Sequence, residues 1–403
     1  MGTLDEAASG VSGRAVLAKR VQGLKPSTVR TIVDRATALE ETGKDIIHLE
    51  IGRPCFDTPR LIKDAAADAL YRGLVHYAPS RGIRELRNAV AEKLCLHNGL
   101  ALNGEDNVLI TSGNKNATFL CLMGVLNEGD EVLIFDPQYG PHRKQIELLG
   151  GVCRPVPLVG SDGWRIKMAS LESAMSHRTR LILLNNPLNP VGRVFTREEL
   201  GHVAEVACQH DLWVITDETY EYIIYDGRQH ISIASLPGMK DRTLSTFAFT
   251  KTYAMDGWRL GYIAGAEDAL EKIESILQLD TSCANTFVQY GAVAAVRDCA
   301  SDLRRMVAED ERARTITAQM LAEADIPCTT IEGTIYAFPD VSRLRISGDD
   351  FAMRLLLDKG VATVPGSAYG VHGADHVRLA FGAVNEARLV EALRRIQRLV
   401  TDL

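Results

Sequence analysis

Six short apolar runs punctuate this chain, and most end on polar residues. They read NVLITSG, DEVLIFDP, RLILLNNP, LWVITDE, LSTFAFTK and RLGYIAG. Most are continuously apolar rather than alternating, as strands buried on both faces are. Stretches with helical spacing separate many of them. In TREELGHVAEVACQHD, Thr196 is placed to cap a helix and Glu199 to complete a capping box. TPRLIKDAAADALYRG similarly offers Thr58 as N-cap with Pro59 at the first helical position. The βα alternation predicts an α/β fold with a mostly parallel sheet flanked by helices. After about residue 300 the pattern changes to long amphipathic helices with short strands (YAFPDV, VATVPG, HVRLAF). The expected division is a disordered stretch at 1–15, a segment at 16–49 joining the small domain, a large domain at 50–300 and a small α+β domain at 301–403.

The bulk numbers close off other classes. The 403 residues are 46% hydrophobic and 24% charged, which is ample material for two domains. A net charge of −7 without a basic cluster disfavours nucleic acid and anionic membrane as partners. The eight cysteines are scattered and never form C-x-x-C. That argues for buried thiols in a reducing compartment rather than disulfides or a zinc site. The N-terminus lacks the apolar core of a signal peptide, and no run of about eighteen apolar residues exists to span a membrane. The expectation is a cytoplasmic protein that holds no metal.

In parallel sheets ligands bind beyond the carboxyl ends of the strands. The polar residues there are Ser112, Gly113, Asn114, Lys115, Asp136, Asn185, Asn186, Asp217, Glu218 and Lys251. Lys251 leaves an apolar run into small and apolar neighbours. A desolvated lysine loses part of its preference for charge, and its neutral amine attacks carbonyls. A snorkelling surface lysine is the plainer alternative. Arg259, in GWRLGY, suits either a fixed dianion or a structural ion pair. Asp217 fits a protonated ring nitrogen, which a pyridoxal cofactor needs as electron sink, or a helix cap. Tyr220 offers a phenol to a cofactor oxygen or a ring to the core. Asn189 lies between Pro187 and Pro190, where its amide donates to a ligand oxygen or only caps the turn. In TSGNKNATF, backbone N–H groups at the helix start are placed to cradle phosphate.

Together these motifs resemble the fold-type I pyridoxal-phosphate enzymes, specifically the aspartate-aminotransferase-like class I/II family. The resemblance runs from about residue 18 to the C-terminus through LKPSTVRTIVDRA, IGRPCFDTP, HYAPSRGIRELRNAV, NNPLNPVGRVF, TDETYEYIIY, TKTYAMDGWRLGY and HVRLAFG. It implies pyridoxal 5'-phosphate as cofactor and amino transfer between an L-amino acid and a 2-oxo acid. Lys251 would form the internal aldimine and move the proton. Asp217 would pair with the pyridinium nitrogen, and Asn189 and Tyr220 with the phenolic oxygen. Arg259 and the helix start at Asn114, Lys115 and Asn116 would bind phosphate, and Tyr139 would stack on the ring. Tyr77 would reach the phosphate of a neighbouring subunit, which implies a homodimer with shared active sites. Arg378 would grip the substrate α-carboxylate, with Asn189 alongside and the Gly52 backbone closing over it.

Some positions depart from the family's pattern. Val191 replaces the threonine of the usual N-P-T-G turn. Ala248 stands where many members carry a phosphate-binding serine, with Thr250 as a candidate substitute. Ala78 replaces a frequent threonine, and Arg53 and Cys55 stand where acidic or polar residues are common. Arg53 fits either a polar substrate at the mouth or a solvated loop. The departures leave a second reading open: elimination, replacement, decarboxylation or carbon–carbon chemistry with the same cofactor. A non-catalytic ligand sensor is the third. Such regulators usually carry an attached DNA-binding domain, and the expectation is that the roughly 17 residues before the match are too few to hold one.

Overall fold

A computed structural model describes residues 16–403. The expectation of disorder at 1–15 lies outside the described residues. The strands begin with β1 (Ile47–His48), β2 (Val108–Thr111), β3 (Glu131–Asp136), β4 (Val152–Pro157) and β5 (Thr179–Asn185). β6 (Trp213–Asp217), β7 (Thr243–Ala248) and β8 (Gly261–Ala264) follow. The short β9 (Tyr336–Ala337), β10 (Val361–Ala362), β11 (Val364–Pro365) and β12 (Val377–Ala380) complete the series.

One seven-stranded sheet has the order β2-β8-β7-β6-β5-β3-β4. From β4 to β7 its neighbours are parallel, while β8 lies antiparallel between β7 and β2. The six apolar runs are strands of this sheet, and both faces are covered. Successive residues of one strand therefore enter different cores. Leu181 and Leu183 pack with Leu120 and Ile273, whereas Ile182 and Leu184 pack with Val203 and Ala207. β4 carries no apolar run because it is an edge strand. Only Val156 of its residues is buried, and Pro155 and Pro157 are tolerated where one side needs no ladder bonds.

Local signals decide the helix starts unevenly. Thr196 caps Arg197–Gln209, accepting from the Glu199 N–H at 3.2 Å while the Glu199 carboxylate accepts from the Thr196 N–H at 2.9 Å. The expected cap at Thr58 is corrected: the helix is Arg60–Tyr71 with Pro59 as N-cap. The Thr58 hydroxyl instead donates to the Ala254 carbonyl at 2.5 Å and accepts from Trp258 Nε1 at 3.1 Å. Those long-range partners satisfy it, so it leaves the helix end uncapped.

Beyond residue 300, the helices Ala300–Glu323, Gly348–Lys359 and Glu386–Thr401 surround the small antiparallel sheet β11-β12-β9. The N-terminal segment packs there too. β1 pairs in parallel with β10, and Ile32 and Ala36 of the helix Thr28–Glu41 share a core with Leu356 and Ala362. Among the described residues no helix is long and apolar enough to cross a membrane.

Candidate active site

The carboxyl ends of β3, β5, β6 and β7 open into a cavity of about 1080 Å³, closed on its far side by residues from β9 and β12. The parallel part of the sheet is what brings those ends together. Lys251, Asp217, Tyr220, Asn189, Arg259 and Tyr139 line it. So do Asn114, Lys115, Gly52 and Arg378. Tyr77 does not; it is 88% exposed. Of the other strand-end residues, Asn186 and Glu218 turn away. Asn186 accepts from the Phe195 N–H, and Glu218 lies against His230 and Ser232. Asp136 accepts from the Val371 and His372 N–H groups, each at 3.2 Å, and so fastens the loop 366–374 beside the cavity.

Lys251 sits in the single turn Phe249–Thr252 that continues β7, and its Nζ donates to the Gly52 carbonyl. Burial holds its pKa below the ordinary 10.5, so the neutral amine is more accessible than in water. Arg259 lies just before β8 with φ of 54°. Its Nη1 donates to the Asp256 carbonyl at 3.0 Å, and its guanidinium lies against Gly113, where a Cβ would fall 2.6 Å from Nη2. Gly113 itself has φ of 93° and is the N-cap of Asn114–Val125. A glycine is required there twice over, for its backbone angle and for the space the arginine takes. The result is a guanidinium beside free helix N–H groups, an arrangement that suits phosphate. Ala248 and Thr250 also line this end of the cavity.

Asp217 ends β6. Its Oδ1 accepts from the Thr219 N–H at 3.1 Å, and its Oδ2 lies 3.4 Å from His142 Nε2. Burial alone would raise its pKa, but His142 and Thr219 more than offset this and hold it below 3.8. It is therefore a buried anion lining the cavity. His142 is absent from the motif reading, although it falls three residues after Tyr139 and meets that ring edge-on at 5.1 Å. The i, i+3 spacing in QYGPH was the available signal. Asn185 Nδ2 donates to the Asp217 carbonyl at 3.1 Å while its Oδ1 accepts from the Asn189 N–H at 2.8 Å. One side chain thus ties the Asn189 turn to the end of β6. Val191 of that turn is buried in the apolar core, which explains a residue without a hydroxyl.

Arg378, on β12, is 3% exposed. Nη2 donates to the Glu50 carbonyl at 2.5 Å and Nη1 to Asn189 Oδ1 at 3.4 Å, while Nε has no hydrogen-bond partner. Its guanidinium lies 4.3 Å from the ring centre of Tyr336 and 5.2 Å from that of Tyr369. A buried cation lining the cavity suits an anionic ligand. The Tyr220 hydroxyl lies 2.9 Å from that of Tyr336, and burial with Tyr336 beside it pushes the Tyr220 phenol well above 10. Tyr336 and Tyr369 also escape the motif reading. Arg53 is exposed and does not line the cavity, the place of a solvated loop residue.

A family model described as aminotransferase class I and II matches residues 44–396. The aromatic-amino-acid aminotransferase 2 of Thermococcus litoralis is 37% identical over 388 residues, 96% of this chain and 98% of that protein. The probable aspartate/prephenate aminotransferase of Aquifex aeolicus is 38% identical over 399 residues, 97% of this chain and 100% of that one. The solved structure of Thermus thermophilus aspartate aminotransferase with maleate superposes with a TM-score of 0.91 at 32% identity, covering 96% of this chain and 100% of that chain. Likeness of this extent in sequence and fold, running nearly end to end, places the protein in the class I and II aminotransferase family, and the reaction it catalyses is amino-group transfer.

Proposed function

We propose that the enzyme binds pyridoxal 5'-phosphate and moves an amino group between an L-amino acid and a 2-oxo acid, with Lys251 as the cofactor-bearing lysine. The observation that carries this reading is one cavity lined by a lysine whose pKa burial lowers, an anionic Asp217 and a buried Arg378. The donor set fits the cofactor. Asp217 would hold the ring nitrogen protonated, and Asn189 and Tyr220 would bond the phenolic oxygen. Arg259 with the helix start at Asn114 and Lys115 would take the phosphate, and Tyr139 would cover the ring. When bound, the cofactor supplies the electron sink that makes the substrate Cα–H acidic. Lys251 Nζ then removes and returns that proton, and its burial keeps it in the form that accepts one. Arg378 fixes the α-carboxylate with its planar fork, and the Gly52 backbone closes over that carboxylate.

By their names, the relatives act on aromatic amino acids, aspartate and prephenate. We extend those classes to this enzyme. The rings of Tyr139, Tyr336 and Tyr369 offer apolar surface in the cavity, and the Lys115 ammonium, 5.9 Å from the Tyr139 ring centre, offers a cation. We also propose a homodimer. Tyr77 is exposed alongside Leu70, Tyr71 and Val75, an apolar stretch that suits burial against a second copy. Tyr77 of the partner subunit would then complete the phosphate site. Residues 16–49 and 301–403 would form the small domain against a large domain at 50–300. The eight cysteines are free, as a cytoplasmic setting favours.

The test is purified enzyme given an amino acid with and without a 2-oxo acid. Turnover beyond one equivalent per site is expected only with the acceptor. Continued keto-acid release without it would overturn transamination in favour of elimination.

A further inference from the structure

Tyr336 stands at a junction of the site. It pairs in register with Ala380 across β9 and β12, which sets it diagonal to Arg378 on the same side of the small sheet. Its ring lies 4.3 Å from the Arg378 guanidinium. Its hydroxyl leaves the sheet to meet the Tyr220 hydroxyl at 2.9 Å. The same oxygen occupies the space over Gly52, where a Cβ would fall 1.9 Å from it, and the Gly52 carbonyl accepts from Lys251. A core tyrosine needs packing and one partner for its hydroxyl. This one, 2% exposed, lies against Arg378, Tyr220 and Gly52, the residues proposed above to hold the substrate carboxylate and the cofactor.

We propose that Tyr336 is a positioning residue with two separable actions: its ring holds the Arg378 guanidinium for the substrate carboxylate, and its hydroxyl orients the Tyr220 phenol. The inference rests on the reading of the cavity as a pyridoxal-phosphate site. A guanidinium laid on aromatic faces keeps its donors at the edge, and Arg378 lines the cavity where a carboxylate would meet that edge. When two phenols touch, one donates and the other accepts. With Tyr336 donating, the Tyr220 proton is free to point at the cofactor's phenolic oxygen, and the chain of two hydrogen bonds strengthens that donation. The titratable and charged groups facing Tyr336 are Tyr220 and Tyr139 after β6 and β3, Lys251 after β7, Tyr369 of the loop 366–374, and Arg378 of its own sheet.

The test compares wild-type, Tyr336→Phe and Tyr336→Leu holoenzymes in three readouts. These are the pH titration of cofactor absorbance, the dissociation constant of maleate as an inert carboxylate, and the thermal midpoint. A donor to the phenolic oxygen favours its anionic state, so weakening that donor raises the pH of the titration by about half a unit or more. The Phe variant should show that shift and bind maleate within about twofold of wild type, because the ring remains. The Leu variant should show the shift and also lose maleate affinity by about fivefold to thirtyfold. Should the Leu variant fail to fold, Tyr336→Met, closer in volume, serves for the ring. An unmoved titration in the Phe variant, unchanged maleate binding without the ring, or changes in thermal midpoint alone would overturn the proposal. A wild-type protein without cofactor absorbance would instead overturn the reading beneath it.

Discussion

The residues behind Asp217 and Tyr220 give a prediction whose size and pH dependence both follow from the structure. Lys93 Nζ pairs with Glu221 Oε1, and Asn98 Nδ2 donates to Glu221 Oε2 at 2.8 Å. Glu218, the neighbour of Asp217, lies 2.6 Å from His230 Nε2 and accepts from Ser232 Oγ at 2.8 Å. Lys93 also lies 4.5 Å from the ring centre of Phe247 on β7, four residues before Lys251. The side chains of Lys93 and Glu221 are 8% and 6% exposed. Burial pushes the Glu221 carboxyl up, but the charges of Lys93, His97 and His230 outweigh it and hold the group below 4.5. Lys93→Met removes the main partner and leaves a buried carboxylate, at a cost of about 3–5 kcal/mol.

The sign with pH follows from the same geometry. In the wild type Glu221 is depressed, so its contribution is present above the unfolded value of about 4.3 and lost as pH falls below it. In the variant the largest offset to burial is gone, so the folded value rises above the unfolded one. Stability then declines as pH climbs through that raised value. The deficit is expected to be small near about pH 5 and largest near about pH 8. Urea unfolding at both pH values measures it. Adding Glu221→Gln should recover most of the loss, because the uncompensated charge is gone. A deficit below about 1 kcal/mol at the higher pH, or one that shrinks as pH rises, would refute the reasoning, as would a double variant no better than the single one.

Two further perturbations read other parts of the fold. Asp310, on the helix Ala300–Glu323, is 5% exposed, and burial with the Glu309 charge raises its pKa from 3.8 to about 8. The folded chain keeps a proton that the unfolded chain loses, so wild-type stability falls between those two pH values; Asp310→Asn should flatten that fall in urea titrations, and a wild-type curve already flat would contradict it. Gly52→Ala would set a Cβ 1.9 Å from the Tyr336 hydroxyl, so kcat should fall and KM rise in steady-state assays with the circular dichroism unchanged. Kinetics equal to wild type would show that this contact does not matter.

What the sequence discloses is what burial writes into it. Strands covered on both faces read as apolar runs, and their polar carboxyl ends meet because most of them are parallel. Asp217 and Lys251 are legible for that reason. The direction of β8 is not, since a run buried on both faces looks the same in either orientation. β4 is hidden because an edge strand with one buried residue has no run to show. Tyr336 is hidden for a different reason. Its hydroxyl partner is 116 residues away, and nothing local in GTIYAF announces a contact across the cavity. Thr58 misleads in the same way, because a residue suited to capping is claimed by Ala254 and Trp258.

Under the proposed function, Lys251 would hold the cofactor in the cavity beyond the carboxyl end of β7. Borohydride reduction of the holoenzyme, followed by proteolysis and peptide mass analysis, tests it without relying on any substrate. The predicted result is the mass of a reduced pyridoxyl phosphate group on the peptide containing Lys251, lost in Lys251→Ala. That group on another lysine, or on none in a protein that retains aminotransferase activity, would contradict it.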